Sequence, residues 1–362
     1  MRLTRKALLL AAAALVAACN GDEDFTRVTV MTQNLAIGIR LEPVLGAPDF
    51  ASIPPLVQTA WAEKDTSDFA LRAGRIADAI QASGADIVGL QEVIQFYDQI
   101  PPDGTPGITP GATQATNLVK DFLALLLAEL AARGLDDFAV VEDPQLEQGI
   151  VSNADIELTG ADGTGPTGDY RVVDREAVIA RASVQVLDVR TGNYAAHLQL
   201  QIGGSVPFAY ERGWVAVDAV KDGKAFTFVS THLEPFDPRV QSAQATELLA
   251  LVSSGNPTIV VGDMNSAPND AAWPAYGMLV SPTTGFADAG ADVGAGGATC
   301  CRDALCGDPA DGLEKRVDLV LHSAHFQTAF VSAWGAADAD YSTTTSLWPA
   351  DHAGVSAVLE IE

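Results

Sequence analysis

Positive charge is scarce in this chain: 21 Lys and Arg stand against 47 Asp and Glu in 362 residues, for a formal net charge of −26 and a pI near 4.3. Proteins usually grip a long nucleic-acid backbone with clustered Lys and Arg, and no such run occurs here, which counts against a nonspecific nucleic-acid binder. Long apolar runs are also missing. The best candidates, residues 7–16 and 122–130, fall well short of the roughly 20 residues that a bilayer-crossing helix requires. No internal repeat, heptad pattern or low-complexity tail is present, so solenoids and coiled coils are excluded. With 4 Cys and 5 His, the chain offers few of the ligands that zinc sites favour.

What is present is ample core material, since 48% of the residues are hydrophobic and 19% charged. The N-terminus is set apart from any fold: Arg2, Arg5 and Lys6 precede the apolar stretch 7–16, which is the layout of a signal peptide. It ends Val16-Ala17-Ala18-Cys19, a pattern that resembles a bacterial lipobox. The expectation is a signal peptide over 1–18, lipidation at Cys19, a polar tether over 19–25, and export to a membrane face. Ordinary cleavage after small residues is the alternative. Removal of 1–18 takes away three of the 21 basic residues and leaves 18 against 47 acidic ones, so the exported form is more acidic still.

Short β-rich runs alternate with helical stretches, which predicts an α/β-type architecture (α+β in its broad sense). Strands are expected over 28–32, 86–90, 178–182, 214–220, 225–230, 258–261, 317–321 and 354–361. Helices are expected over 69–83, 115–133 and 240–253, with Gly84 as a stop signal for the first. Two stretches, 94–111 (rich in Pro and Gly) and 153–174 (rich in Gly, Asp and Thr), read as loop insertions. Cys300, Cys301 and Cys306 lie within seven residues. In an exported chain Cys306 is expected to pair with Cys300 or Cys301 and leave one thiol over. A metal site built from these three alone would need a further ligand.

Chemistry concentrates where strands end. The runs VTVMTQN, DIVGLQE, FTFVSTHLE, TIVVGDMN and RVDLVLHS close on or carry Asn34, Glu92, His232 with Glu234, Asp263 with Asn265, and Asp318. A sixth, PADHAGVSAVLEI, places Asp351 and His352 just before the final strand. Each piece alone has an ordinary reading as a turn, a surface His or a helix start. Together they can gather along one edge of a rigid scaffold.

This set, TQNL, LQEV, STHLE, GDMN, RVDLVL and ADH in that order, resembles the endonuclease/exonuclease/phosphatase superfamily over roughly 26–362, read as a single catalytic domain. The resemblance implies a four-layer sandwich in which two mixed β-sheets pack face to face and helices flank them. It also implies hydrolysis of a phosphate ester with Mg²⁺ (or Mn²⁺ or Ca²⁺). By carry-over, Glu92 is the principal metal carboxylate, Asn34 helps to bind metal or phosphate, and Asp351 lies at the metal or the water. Asp263 would deprotonate the attacking water, with Asn265 positioning it. His352 would stabilise the phosphoryl oxygens, Asp318 would orient His352, and His232 would contact the phosphate from the other side.

The segment DREAVIAR at 174–181 implies that Glu176 hydrogen-bonds His232. Arg316 reads as a structural ion pair, and Glu234 as a group behind the site. A transferring phosphoryl group spreads negative charge over its oxygens and calls for such donors, and Mg²⁺, a hard ion, suits carboxylates with an amide. Carboxylates beside the two histidines are expected to keep both partly protonated. The substrate class stays open among lipid head groups, small phosphodiesters and nucleic acids, and no protein partner is expected. Alternatives are a secreted nuclease, a catalytically lapsed interaction module on the same scaffold, and a thiol-based redox or metal-storage protein.

Overall fold

A computed structural model describes residues 25–104, 113–142, 148–204, 206–253 and 255–362. The expected signal peptide, Cys19, the tether up to residue 24 and the 105–111 part of the first insertion lie outside the described residues.

Two mixed sheets form the middle of the molecule. The larger runs Phe326–Trp334, Gly354–Ile361, Thr26–Asn34, Ile87–Gln91, Gly165–Arg181, Gln95–Gln99, Asn117–Asp121 in spatial order, and Phe138–Val140 and Ile150–Asp162 also pair with the long strand Gly165–Arg181. The smaller runs Phe286–Asp288, Asp318–Ser323, Thr258–Asp263, Lys224–His232, Gly213–Lys221, Gln185–Asn193. Between them lies an apolar layer that includes Val28, Val30, Ile87, Val178, Val217, Phe228, Ile259, Val261, Val320 and Leu359. Helices Ile53–Thr66, Phe69–Ser83 and Phe122–Ala132 cover the outer face of the larger sheet through residues such as Ile76, Ile80 and Leu126. Helix Pro238–Leu251 covers the smaller sheet through Ala245 and Leu248. This is the expected four-layer sandwich. No described helix is long and apolar enough to cross a membrane.

Helix Phe69–Ser83 falls where its periodicity places it, and Gly84 closes it in the left-handed conformation at φ +66°. Three expectations are corrected. Residues 153–174 are not a loop: Ile150–Asp162 and Gly165–Arg181 form a long antiparallel hairpin. Its Gly-, Asp- and Thr-rich composition masks an alternation in which Ile156, Leu158, Tyr170 and Val172 face the helical layer, and Tyr170 stacks on Trp61 with ring centroids 4.4 Å apart. The expected helix 115–133 begins later, because the Asp121 side chain accepts from Leu123 N and Ala124 N and so caps the helix at Phe122. The residues before it form the edge strand Asn117–Asp121. Within the first insertion, Gln95–Gln99 is likewise a strand.

The register of the sheets brings the polar strand ends level. Asn34 lies opposite Gln91 in one parallel pair, His232 opposite Asp263 in another, and Asp263 opposite Asp318 across an antiparallel pair. Because successive side chains alternate between faces, the strand with Phe226 and Phe228 in the inter-sheet core also turns Ser230 and His232 inward. A buried chain of hydrogen bonds closes the apolar layer beneath the strand ends: Thr32 Oγ1 donates to Gln91 Oε1 (3.0 Å), and Gln91 Nε2 donates to Ser230 Oγ (3.0 Å).

From the outer layer, the buried guanidinium of Arg72 donates to the carbonyls of Ser67, Leu35, Ala36 and Pro349 at 2.7–3.1 Å. It thereby ties the loop after Asn34 to the loop before Asp351. Gly262 has φ +150°, and an added Cβ would overlap the Thr231 carbonyl oxygen on the neighbouring strand. Gly262→Ala should therefore cost more than about 4 kcal/mol, the range of severe backbone and packing conflicts, in a denaturant-unfolding measurement.

Candidate active site

Asp263 ends its strand with Oδ2 as a meeting point. His232 Nε2 lies 3.4 Å from it, Asn34 Nδ2 3.3 Å and His352 Nε2 3.7 Å. Its Oδ1 accepts from Asn265 N at 2.9 Å. Asn265 in turn donates through Nδ2 to Leu233 O (2.9 Å) and meets His232 Nε2 at 3.0 Å. Asn34 Nδ2 also donates to Glu92 Oε1 at 3.1 Å, and Glu92 Oε2 accepts from Ile37 N at 2.6 Å. His352 Nδ1 is bonded to Asp318 Oδ2 at 2.8 Å, the pairing expected for orientation of that ring. Asp351 precedes His352, and its field is felt at Glu92. Asn34, Glu92, His232, Asp263, Asn265, Asp318, Asp351 and His352 therefore gather in one cluster at the strand ends. Glu92 and Asn265 adopt left-handed backbone at φ +54° and +46°, as does Ala36 at +61°, a conformation that non-glycine residues adopt at a cost and that clusters where function needs it.

Behind His232 lies a second layer. Arg212, 3% exposed, faces His232 Nδ1 through Nη1 at 3.1 Å, stands 3.6 Å from Asp174 and 3.9 Å from Glu234, and stacks on the Tyr210 ring. Tyr210 donates to Asp174 Oδ2 (2.9 Å), and Asn153 Nδ2 to Glu176 Oε1 (3.0 Å). Glu176 reaches only 3.8 Å from His232 Nδ1, beyond hydrogen-bond range. The expected Glu176–His232 bond is thus replaced by Arg212, which occupies that nitrogen. Glu234 sits behind the site and Arg316 pairs with Asp288, both as expected.

Arg212, Tyr210, Asp174 and Asn153 were absent from the sequence-based set. Asp174 stood beside Glu176 in a quoted segment. Arg212 carried no local signal, because its role comes only from the folding of the Gly213–Lys221 strand against the hairpin.

The two histidines differ in charge, which corrects the expectation that carboxylates would keep both protonated. Burial lowers the pKa of His232, and the neighbouring cations Arg212 and His352 push it further down, well below the usual imidazole range. Arg212 Nη1 faces Nδ1 and Asn265 Nδ2 faces Nε2, so a ring protonated on both nitrogens would set donor against donor, whereas a neutral ring accepts at one of them. Burial opposes charge on His352 as well, but Asp318, Asp263 and Asp351 outweigh it and hold the ring protonated well above its ordinary range. Asp263 is pushed up to about 6, chiefly by burial, with His352 pulling the other way. Glu92 is pushed up to about 8 by burial and then by Asp351 and Asp174.

That last shift tests the site's fit for a cation. Buried carboxylates crowd here, and Asp351 Oδ1 and Asp318 Oδ1 have no hydrogen-bond partner. Hard oxygen donors in excess of local positive charge fit a divalent ion such as Mg²⁺ at Glu92 and Asp351, with Asn34 joining Glu92 to Asp263.

The sequence pattern of the endonuclease/exonuclease/phosphatase family matches residues 59–352. No curated protein matches the sequence. Among solved structures, an endonuclease/exonuclease/phosphatase family protein from Bacteroides thetaiotaomicron is similar with TM-score 0.56 at 14% identity, covering 93% of this chain and 96% of that one. A mannosyl-6-phosphatase from Bacteroides thetaiotaomicron gives TM-score 0.53 at 14% identity over 92% and 99% of the two chains. TDP2 from D. rerio, complexed with a single-strand DNA product, gives 0.52 at 14% identity over 92% and 99%. At these identities the likeness shows a shared fold.

The raised Glu92 carboxyl has a consequence for stability. Its folded pKa of about 8 lies above the ordinary 4.5, so between these values the folded chain binds more protons than the unfolded one and stability falls as pH rises. A cation at the ionised carboxylates reverses the loss. Addition of Mg²⁺ should therefore raise Tm more at about pH 8 than at about pH 5, measured by thermal unfolding with and without EDTA.

Proposed function

Because the chain belongs to the endonuclease/exonuclease/phosphatase family, whose members hydrolyse phosphoesters, we propose that it is a divalent-metal-dependent phosphoesterase in which water, activated by Asp263, attacks phosphorus. The observation that carries this reading is Asp263 Oδ2, which faces His232, Asn34 and protonated His352 within 3.7 Å at the common edge of two sheets. Asp263, with a pKa near 6, is ionised at neutral pH yet basic enough to accept a proton from water, and Asn265 N fixes its other oxygen. His352, held charged and oriented by Asp318, directs a positive N–H at the oxygens where negative charge grows. Neutral His232, backed by the Arg212 guanidinium, bounds the other side as a hydrogen-bonding group rather than a cation. When bound, Mg²⁺ would be held by Glu92 and Asp351 and would supply charge neutralisation at the phosphoryl group.

The acidity of the chain favours a small phosphate ester, or an ester exposed at the end of a larger molecule, over a long nucleic acid. The intact constellation disfavours a lapsed interaction module. The N-terminal layout supports export and lipid attachment at Cys19 as a further part of the proposal. In a bacterial host, Cys19→Ser should move the protein from the membrane fraction to the soluble fraction, and unchanged fractionation would refute the anchor.

For the chemistry, a panel of DNA, RNA, sphingomyelin, inositol phosphates and sugar monophosphates, assayed with Mg²⁺ and with EDTA, should show hydrolysis of at least one member. Asp263→Ala should lower that rate by about 10²–10⁴-fold, the usual contribution of a general base. Hydrolysis that persists undiminished in the variant would sink the assignment.

A further inference from the structure

The three clustered cysteines do not pair as the sequence suggested. Cys300 and Cys301 are bonded to each other, and Cys306 is free, with its sulfur buried beside Ala36, Trp348 and Ala350. Packing decides this, because Cys306 sits in left-handed backbone (φ +58°) that turns it into a small apolar cluster away from its neighbours. The bonded pair lies instead at the active site. Cys301, which is exposed, places Sγ 3.8 Å from His352 Nε2.

The segment that carries the pair is fastened to both sides of that histidine. Thr299 Oγ1 accepts from Val317 N and Asp318 N, Thr299 O accepts from Ala353 N, and Arg302 N donates to Asp351 O. One ligand atom each from Cys300, Cys301 and His352 lie within 4.8 Å of one another. His352 Nδ1 is bonded to Asp318 at 2.8 Å, which leaves Nε2 between Cys301 Sγ at 3.8 Å and Asp263 Oδ2 at 3.7 Å. A carboxylate on the far nitrogen is the arrangement that orients histidines when they ligate zinc-like ions.

We propose that the reduced Cys300–Cys301 pair and His352 Nε2 form a binding site for a soft divalent cation of the Zn²⁺ or Cd²⁺ class, distinct from the oxygen site at Glu92 and Asp351. Two thiolates and an imidazole select soft ions over Mg²⁺, and three protein ligands leave a fourth position for water. The site is gated by redox chemistry. A small dithiol supplies two electrons and two protons, which break the Cys300–Cys301 bond to give two thiols, while the reductant closes to its own cyclic disulfide. The cation then displaces both thiol protons and the Nε2 proton into solvent. In the bonded form the sulfurs cannot act as thiolates, and the site does not exist.

Occupancy would remove His352 from the phosphoryl oxygens, so the soft ion should inhibit. Binding stands apart from the hydrolase reading, whereas inhibition rests on it. The test titrates Cd²⁺ into the full chain, in Mg²⁺ buffer, before and after treatment with a small dithiol that is then removed. The reduced chain should bind about one Cd²⁺ with a thiolate-to-cadmium charge-transfer band in the ultraviolet, and the untreated chain should show none. Cys301→Ser should lose the band and weaken Cd²⁺ binding by at least about tenfold. Cys306→Ser should keep the band, and circular dichroism verifies that each variant is folded.

A full-strength band in folded Cys301→Ser, or no band in the reduced wild type, overturns the site. A band without loss of turnover overturns the inhibition. If no substrate of the panel is turned over, the absorbance still decides the binding.

Discussion

The structure depends on how much negative charge one buried cluster can hold. Glu92, Asp174, Glu176, Asp263, Asp318 and Asp351 crowd the edge where the two sheets meet, and the positive groups that offset them are Arg212, His352 and, at Asp351, Arg72. A buried carboxylate without a partner is expensive, and several oxygens here have none, among them Asp174 Oδ1, Glu176 Oε2, Asp318 Oδ1 and Asp351 Oδ1. The surplus holds a proton on His352 and adds to the rise that burial gives Glu92, and the oxygen-rich side has the donor chemistry that suits a hard cation. His232 escapes the same influence because burial disfavours its charged form and the Arg212 and His352 cations repel a further charge. One neutral and one charged histidine thus stand a few ångströms from the same Asp263 oxygen.

The sandwich keeps so costly an arrangement in place. Strand ends rather than long loops carry Asn34, His232 and Asp263, so their positions follow from registers anchored in the apolar layer. Gly89 lets the sheets close to contact: a Cβ there would lie 2.6 Å from Ser230 Oγ and 2.7 Å from a Val261 methyl. The loops that remain are tied from behind, by Arg72 at Leu35, Ala36 and Pro349 and by the Thr299–Arg302 segment at Asp318, Asp351 and Ala353. The cysteine pair sits in that second tie, with Cys301 Sγ 3.8 Å from His352 Nε2.

Much of this was legible in the residues. Helix 69–83 and most core strands follow from local periodicity, which is a property of neighbours in the chain. The candidate site residues were visible because most of them end a strong apolar run, and Asp351 with His352 precede one, so a polar group there is conspicuous. The hairpin 150–181 was hidden, since Gly, Asp and Thr give it the composition of a loop while the apolar positions that pin it, Ile156, Leu158, Tyr170 and Val172, only become a face once Trp61 packs against them.

The sequence by itself determined which chemistry was available: acidic and amide ligands, two histidines, no cluster of zinc-type donors of the usual spacing, and a chain too acidic to favour a long polyanion. Only the tertiary structure decided which groups are charged and which sulfurs meet. A pKa depends on burial and on cations that arrive from remote strands, as Arg212 does at His232. The pairing of Cys300 with Cys301 depends on a pocket that claims Cys306. Both are set by contacts between residues far apart in the chain, and spacing along the chain carries no record of them.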